Sequence, residues 1–332
     1  MIPVPLSILD RSVIRRGQDP ATALADTVRF ARQAEQLGYR RFWVSEHHSV
    51  PGIAGSAPTV LAATIAQATT TIRVGTGGVM LPNHQPLIVA EQFGVLESLN
   101  PGRVDMGLGR SVGFTSGVRK ALGHGKEDID GFGEQLTELL GYFTGTQETH
   151  RGVHALPGEG LRPQPFVLAV GSGAAEAAAR GLPLVIAPAR GEDAMLASIA
   201  RYREEFRPSV WAAEPHVVVA LAVAVADTTE EARRLLLSES WSMARSRTTG
   251  AFEPLWPTAD VLAHDLSDRE RGFIDDSLAW AIYGTADDVD KELSTLVERA
   301  GAQEVLVTMN TFDRGEMLDS YRWLSELVAD SS

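Results

Sequence analysis

The alternation of short apolar segments with amphipathic helical segments is the feature that most constrains this chain. Apolar runs of strand length occur about eight times and lie at 4–9, 41–46, 72–81, 104–109, 166–170, 184–187, 217–225 and 304–308. Between them, apolar residues recur at helical spacing, and several of these segments begin at a proline. The alternation predicts parallel strands, because each strand is followed by a helix that returns the chain to the same edge of the sheet.

A TIM barrel, the (β/α)8 class of α/β fold, is the architecture that this pattern predicts for residues 1–332 as a single domain. The chain is longer than the usual length of about 250 residues, so we expect insertions. Residues 112–133, after the fourth strand, are polar and rich in glycine, and residues 252–276, after the seventh, are irregular. Both segments are predicted to be lids. A doubly wound open sheet is the alternative fold, because alternation alone does not separate the two.

The charge balance limits the partners of this protein. The chain has 43 acidic and 30 basic residues, a net charge of −13. Nucleic acids and anionic membranes are bound by basic patches, so we expect neither as a main partner. A cytoplasmic location is expected, because the start lacks the features of a signal peptide and no apolar run has membrane-spanning length. The absence of cysteine excludes disulfides, thiolate zinc sites and a cysteine nucleophile.

The third strand carries an unusual density of glycine. Gly75, Gly77 and Gly78 lie between apolar residues in the stretch 72–84. Glycine weakens a strand, so its presence here indicates a bulge or a place where a flat ligand lies against the backbone. An ordinary bend of the barrel is the alternative explanation.

Polar residues and glycines follow several strands at the point where each strand ends. Glu46 and His47 end the second strand, Arg110 ends the fourth, residues 171–173 end the fifth, and Asn310 follows the eighth. The carboxyl ends of parallel strands meet at one rim, so we expect these residues to surround one pocket.

The adjacent histidines His47 and His48 raise the question of a metal site. Neighbouring strand residues point to opposite faces, so the pair is unsuited to one ion, and no metal is predicted. A role in general acid–base catalysis or hydrogen bonding fits one of them better, because imidazole titrates near neutral pH. A purely structural histidine at a strand end is the alternative.

The segment from Gly109 to Gly113 matches the G-x-S-x-G nucleophile elbow of hydrolases. An elbow needs a helix that begins at the serine, here Ser111, and the glycines that follow disfavour one. Anion binding by the planar guanidinium of Arg110 is the interpretation we prefer.

Gly171, Ser172 and Gly173 precede a short alanine-rich helix and form a candidate phosphate site. Free backbone N–H groups at such a turn attract anions. The segment lacks the third glycine of a dinucleotide-binding fingerprint, since Glu176 occupies that position. A plain strand-to-helix turn is the alternative.

Three stretches, at 41–52, 72–84 and 90–110, resemble the bacterial luciferase-like flavin monooxygenases, and most closely the single-chain luciferase-like group. Residues 283–285 and 301–311 resemble the C-terminal part of the same family, so the likeness covers nearly the whole chain. It implies a TIM barrel that pairs as a homodimer through its second and third helices. It also implies reduced FMN supplied by a separate flavin reductase, molecular oxygen, and a small organic substrate.

The resemblance also assigns roles by position. His47 matches the active-site histidine, with Glu46 beside it as a second candidate catalytic residue. Residues 76–78, which are Thr76, Gly77 and Gly78, match the bulge beneath the flavin ring, which often contains a non-prolyl cis peptide. Arg110 matches the arginine at the flavin phosphate, and residues 171–173 match the segment with the other phosphate contacts.

The segment 171–182 departs from the family pattern. It is shorter than in close relatives, and Gly173 and Ala174 stand where relatives often carry serine, threonine or aspartate, so a weaker phosphate site is expected. Two alternative functions follow. One is an oxidoreductase that uses the deazaflavin F420, although no obvious basic cluster serves its acidic tail. The other is a flavin-binding relative without turnover.

Overall fold

The computed structural model describes residues 1–169 and 173–329. In these residues the strands, in chain order, are β1 (Leu6–Asp10), β2 (Arg41–Val44), β3 (Arg73–Thr76), β4 (Val79–Met80), β5 (Val104–Gly109), β6 (Gln164–Ala169), β7 (Leu184–Ile186), β8 (Val217–Leu221), β9 (Val223–Val225), β10 (Ile282–Gly284) and β11 (Glu304–Val307). β3 and β4 together fill one of eight positions in a closed parallel barrel, whereas β9 and β10 form a separate parallel pair.

Closure of the barrel distinguishes it from an open sheet. The first and last strands pair in parallel, with Leu6 opposite Val305. At the broken third position, Val74 of β3 pairs with Val104 of β5, and Val79 of β4 pairs with Leu108 further along the same strand. The TIM barrel expected from the alternation is therefore confirmed.

Helices cover the outside of the barrel and begin at recognisable signals. In the described residues they are α1 (Pro20–Gln36), α2 (Pro58–Ala68), α3 (Pro86–Leu99), α4 (Ser116–Leu122), α5 (Phe132–Thr144), α6 (Gly173–Ala179), α7 (Glu192–Glu205), α8 (Thr229–Thr249), α9 (Thr258–Ala263), α10 (Asp268–Leu278), α11 (Ala286–Ala300) and α12 (Arg314–Glu326). Proline opens the first three, where its missing N–H has no intrahelical partner to lose. Asp19 caps α1 by accepting the N–H of Thr22 at 3.0 Å.

Two segments depart from the expected pattern. Residues 217–225, expected as one strand, are split, because β8 pairs within the barrel and β9 pairs with β10. Residues 252–276, expected to be irregular, contain α9 and most of α10. A reciprocal Ser267–Glu270 capping box starts α10, which buries Ile274 and Leu278. In the first insertion, α4 and a 3₁₀ turn at Glu127–Gly131 interrupt the loop. The lid role of residues 112–133 and 252–276 stays a prediction.

The interior of the barrel is filled from its amino-terminal end upward. Trp43, Phe166 and Leu306 are fully or almost fully buried in one cluster inside the strands. Below them, Asp105 accepts hydrogen bonds from Arg41 at 2.9 Å and from Arg73 at 2.6 Å. These charged residues lie near the starts of their strands and fill the amino-terminal end of the barrel with an ion-pair network.

Within the described residues, none of the helices combines the length and the apolar character that crossing a bilayer requires.

Candidate functional site

A cavity of about 770 Å³ opens at the carboxyl ends of the barrel strands. Six residues predicted from the sequence line it: Glu46, His47, Gly77, Gly78, Arg110 and Gly173. They come from four different strand ends, as expected for a parallel barrel. The fold therefore brings most of the predicted site together.

The remaining predicted residues lie elsewhere or are not described. Thr76 is fully buried and its hydroxyl donates to the carbonyl of Gly107 at 2.8 Å, so its side chain belongs to the barrel wall. Gly171 and Ser172 lie outside the described residues. Asn310 is buried, and its backbone N–H donates to Glu239 at 3.0 Å.

The bulge in the third strand has the form that the resemblance implies. The peptide bond between Gly77 and Gly78 is cis. A Cβ on Gly78 would lie 2.7 Å from the carbonyl oxygen of Gly107, and one on Gly77 would lie 2.6 Å from Cδ1 of Leu9. A side chain at Gly78 would therefore clash with the backbone of β5, and one at Gly77 would displace the end of Leu9. The two glycines leave bare backbone at the cavity surface.

His47 stands at the end of β2 with its ring in the cavity wall. Its Nδ1 is 3.1 Å from Oγ of Ser45, and its ring stacks on Phe114 with centroids 6.1 Å apart. Burial lowers the pKa of His47 to about 4, aided by the nearby positive charge of Arg11 and opposed by Glu46. The imidazole is therefore neutral at pH 7, with one unprotonated ring nitrogen.

We expect the ring resonances of His47 to titrate near pH 4 in an NMR experiment and to stay unchanged between pH 6 and 8. Because its pKa is lowered from 6.5, the unfolded chain binds the proton first as the pH falls. His47 thus reduces stability progressively between about pH 6.5 and pH 4. The variant His47→Gln assigns the resonance and should lessen this acid sensitivity, whereas a midpoint near 6.5 would contradict a lowered pKa of His47.

Glu46 has partners that sequence reasoning did not identify. Its side chain is fully buried, and its carboxylate accepts hydrogen bonds from Nε2 of His48 at 2.6 Å and Nε2 of His84 at 2.9 Å. It also accepts the backbone N–H of Met80 at 2.8 Å. Within the described residues it shares no hydrogen bond with His47. His84 closes the glycine-rich stretch, but nothing in its spacing points to a residue 38 positions earlier.

Arg110 and the start of α6 meet at one side of the cavity. A Cβ on Gly173 would lie 3.9 Å from Cδ of Arg110 and 2.9 Å from Cβ of Ala169. Only glycine fits between these neighbours without a shift. Arg190, which sequence reasoning missed, also lines the cavity and is exposed. The guanidinium of Arg110 beside Gly173 is suited to an anionic group.

Another part of the cavity lining is apolar. Leu168, Ile186, Ala220 and Leu221 line it at the ends of β6, β7 and β8, and Trp280 lies at its margin with 44 % of its surface exposed. These residues carried no motif in the sequence. Their chemistry suits an uncharged organic molecule.

Two other chemistries receive no support. The hydrolase alternative needs a helix that begins at Ser111, but α4 begins at Ser116. In residues 1–169 and 173–329, no group of three or more histidine, aspartate or glutamate side chains is arranged to hold a metal ion.

The family model for luciferase-like monooxygenases matches residues 4–304. A luciferase-like monooxygenase of Escherichia coli K12 is 33% identical over 320 residues, which cover 96% of this chain and 95% of the relative. The N-acetyl-S-alkylcysteine monooxygenase of Bacillus subtilis is 38% identical over 241 residues, which cover 71% of this chain and 72% of the relative.

Solved structures show the same fold. The crystal structure of apo-MsnO8 has a TM-score of 0.87 at 31% identity and covers 98% of this chain and 97% of its own. The oxygenating constituent of 3,6-diketocamphane monooxygenase from Pseudomonas putida, in complex with FMN, has a TM-score of 0.74 at 20% identity, with 99% of each chain covered. An F420-dependent secondary alcohol dehydrogenase has a TM-score of 0.72 at 17% identity and covers 99% of this chain and 100% of its own. The protein is therefore an oxidoreductase that belongs to the luciferase-like monooxygenase family.

Proposed function

We propose that the protein is a flavin-dependent monooxygenase that uses reduced FMN and O₂ to oxidise a small organic substrate. One observation carries the proposal: a single cavity combines the bare backbone of Gly77 and Gly78, a neutral histidine at position 47, and an anion-binding side at Arg110. The FMN complex of a protein with the same fold supports the choice of cofactor.

The residues of the cavity fit FMN. The backbone at Gly77 and Gly78 would hold the flat ring, and Arg110 would hold the phosphate beside Gly173. Bound reduced flavin supplies the electrons that activate oxygen. In the tautomer whose Nδ1–H donates to Oγ of Ser45, Nε2 of His47 is unprotonated and is the nitrogen that would accept a proton from the reacting molecules. Phe114, which is 65 % exposed, stacks on this ring.

The substrate in this proposal is small and uncharged in the part that meets the apolar wall. A thioether is the first class to test, because a relative in the same family oxidises N-acetyl-S-alkylcysteines. Aldehydes and ketones are the next classes. F420 is the alternative cofactor, and proteins of the same fold use it. We favour FMN, since the guanidinium of Arg110 matches a single phosphate, whereas a long acidic tail would need a larger basic surface.

A homodimer formed through α2 and α3 is part of the proposal. The two helices lie side by side, with Oγ1 of Thr59 donating to Gln92 at 3.0 Å. Their outer faces expose large apolar residues that need a cover. These residues are Val60 at 66 %, Ile88 at 46 %, Val95 at 48 % and Leu99 at 68 %. A monomeric mass in light scattering would rule the pairing out.

Anaerobic titration with chemically reduced FMN tests the cofactor. We expect binding to the wild type, and we expect Arg110→Ala to raise the dissociation constant about 10–100-fold, the loss typical of a hydrogen bond to a charged group. Riboflavin, which lacks the phosphate, should bind equally to the wild type and the variant. Arg190→Ala, an exposed arginine of the same cavity, is the matched control and should have a smaller effect.

Two outcomes of the titration, repeated with F420, would contradict the proposed cofactor. If F420 binds and FMN does not, F420 is the cofactor. If neither binds, the result favours a barrel without flavin chemistry. If FMN binds, mixing with oxygenated buffer and a thioether, aldehyde or ketone shows whether the substrate is oxidised. Because the flavin is reduced chemically, this assay needs no reductase. Whether activity in cells depends on a separate reductase is tested separately.

A further inference from the structure

The carboxylate of Glu46 joins three separate segments at the wall of the cavity. Its Oε1 accepts Nε2 of His48 at 2.6 Å, and its Oε2 accepts the backbone N–H of Met80 at 2.8 Å. Nε2 of His84 lies 2.9 Å from Oε1 and 3.0 Å from Oε2. Glu46 follows β2, Met80 ends β4, and His84 ends the 3₁₀ turn Leu81–Asn83.

These contacts hold the strand that contains the bulge against the strand end that carries His47. On the near side of the bulge, the backbone N–H of Gly77 donates to the carbonyl of Val44 in β2 at 2.8 Å. On the far side, Glu46 makes the corresponding link through Met80, two residues after Gly78. The bulge is therefore attached to β2 on both sides, and the second attachment is a buried side chain.

The same contacts make Glu46 a poor carrier of protons. Burial acts to raise its pKa, but hydrogen bonds from His84, Met80 and His48 outweigh burial and lower it. The carboxylate is therefore ionised at neutral pH, and its oxygens are engaged with N–H donors. His47, by contrast, has its ring in the cavity wall and faces Ser45 and Phe114.

We infer that Glu46 is a positioning residue, which holds the bulge at Gly77–Gly78 and the ring of His84 in place and transfers no proton itself. The inference rests on the proposed function for its effect on flavin, but the attachment of Met80 is a property of the flavin-free protein. It also changes the role of Glu46 from the catalytic one that its position beside His47 suggested.

The chain offers a matched control at the other end of the third strand. Glu35, at the opposite end of the barrel, accepts the backbone N–H groups of Thr70 at 2.8 Å, Thr71 at 2.6 Å and Ile72 at 3.0 Å. Both carboxylates thus hold backbone N–H groups next to the third strand, but only Glu46 lines the cavity among the described residues.

The test compares Glu46→Gln with Glu35→Gln. In flavin-free protein, Glu46→Gln should speed hydrogen exchange at the Met80 amide about tenfold or more, because the charged acceptor is lost. It should also weaken binding of reduced FMN severalfold while leaving the shape of the pH–rate profile unchanged. Glu35→Gln should speed exchange at the Thr71 and Ile72 amides and leave FMN binding within about twofold.

Three results would overturn the inference. One is unchanged exchange at Met80 in Glu46→Gln. Another is a lost limb of the pH–rate profile, which would make Glu46 a proton-transfer group. The third is equal loss of FMN binding in both variants, which would indicate general destabilisation. If Glu46→Gln does not fold, His84→Gln is the substitute variant. It removes the half-buried imidazole that donates to Glu46 and should give a smaller change in exchange at the Met80 amide. If the wild type binds no FMN, the proposed function fails, and exchange at Met80 still decides whether Glu46 holds the bulge.

Discussion

Replacing Asp105 with alanine is expected to reduce the free energy of unfolding by about 3–5 kcal/mol, because removing one partner of a buried ion pair leaves charge uncompensated. Asp105 is fully buried and accepts from Nη1 of Arg41 at 2.9 Å and from Nη2 of Arg73 at 2.6 Å. It also accepts the indole N–H of Trp43 at 3.0 Å. Arg41 is 4 % exposed, so solvent compensates little for the lost carboxylate. Arg41 would keep one carboxylate partner, Glu304, to which its Nε donates at 2.9 Å.

Denaturation by urea, followed by circular dichroism, measures this loss. The control is Asp260→Ala, which breaks an ion pair to Arg16 in which both side chains are about half exposed, at 49% and 50%. Exposed pairs contribute about 0–1 kcal/mol, so the control should change little. If the alanine variant does not fold, Asp105→Asn retains an acceptor oxygen and should give a smaller loss. A loss for Asp105→Ala no larger than that of the control would show that the buried network is unimportant for stability.

Substituting alanine for Gly78 is expected to destabilise the fold by about 1–3 kcal/mol, the usual cost of overpacking a filled site. The added Cβ would lie 2.7 Å from the carbonyl oxygen of Gly107 and 2.9 Å from its carbon. Both atoms are backbone of β5 and cannot move aside without disturbing the barrel. The third strand would shift instead, and with it the cavity wall proposed to hold the flavin ring, so FMN binding should weaken as well.

Two neighbouring glycines calibrate the measurement by thermal unfolding and FMN titration. A Cβ on Gly109, also in the cavity wall, would have Val79 O as its nearest neighbour at 3.8 Å, so Gly109→Ala should be close to neutral. A Cβ on Gly77 would meet the movable end of the Leu9 side chain at 2.6 Å, so Gly77→Ala should be intermediate. Equal effects of Gly78→Ala and Gly109→Ala would contradict the steric argument.

The elements with strong local signals were predictable. Proline at the start of α1, α2 and α3 and a glycine after α11 mark helix ends in the sequence itself. The helix α10 was missed because its apolar residues are few among charged ones, and its burial depends on packing against α8. The break at Ala222 between β8 and β9 was missed for a similar reason, since it depends on which strand each half pairs with.

The sequence by itself determined the alternation of strands and helices and the residues at the strand ends, because both follow from local periodicity and from the geometry of parallel strands. From these came six residues of the cavity, Glu46, His47, Gly77, Gly78, Arg110 and Gly173.

Only the tertiary structure decided that the sheet closes, through pairing of β1 with β11, and that Glu46 binds His84 rather than His47. It also decided which loop residues, such as Phe114, Arg190 and Trp280, border the cavity. Their positions depend on how distant segments pack, since a hydrogen bond or a contact between such segments leaves no periodic signal in either one.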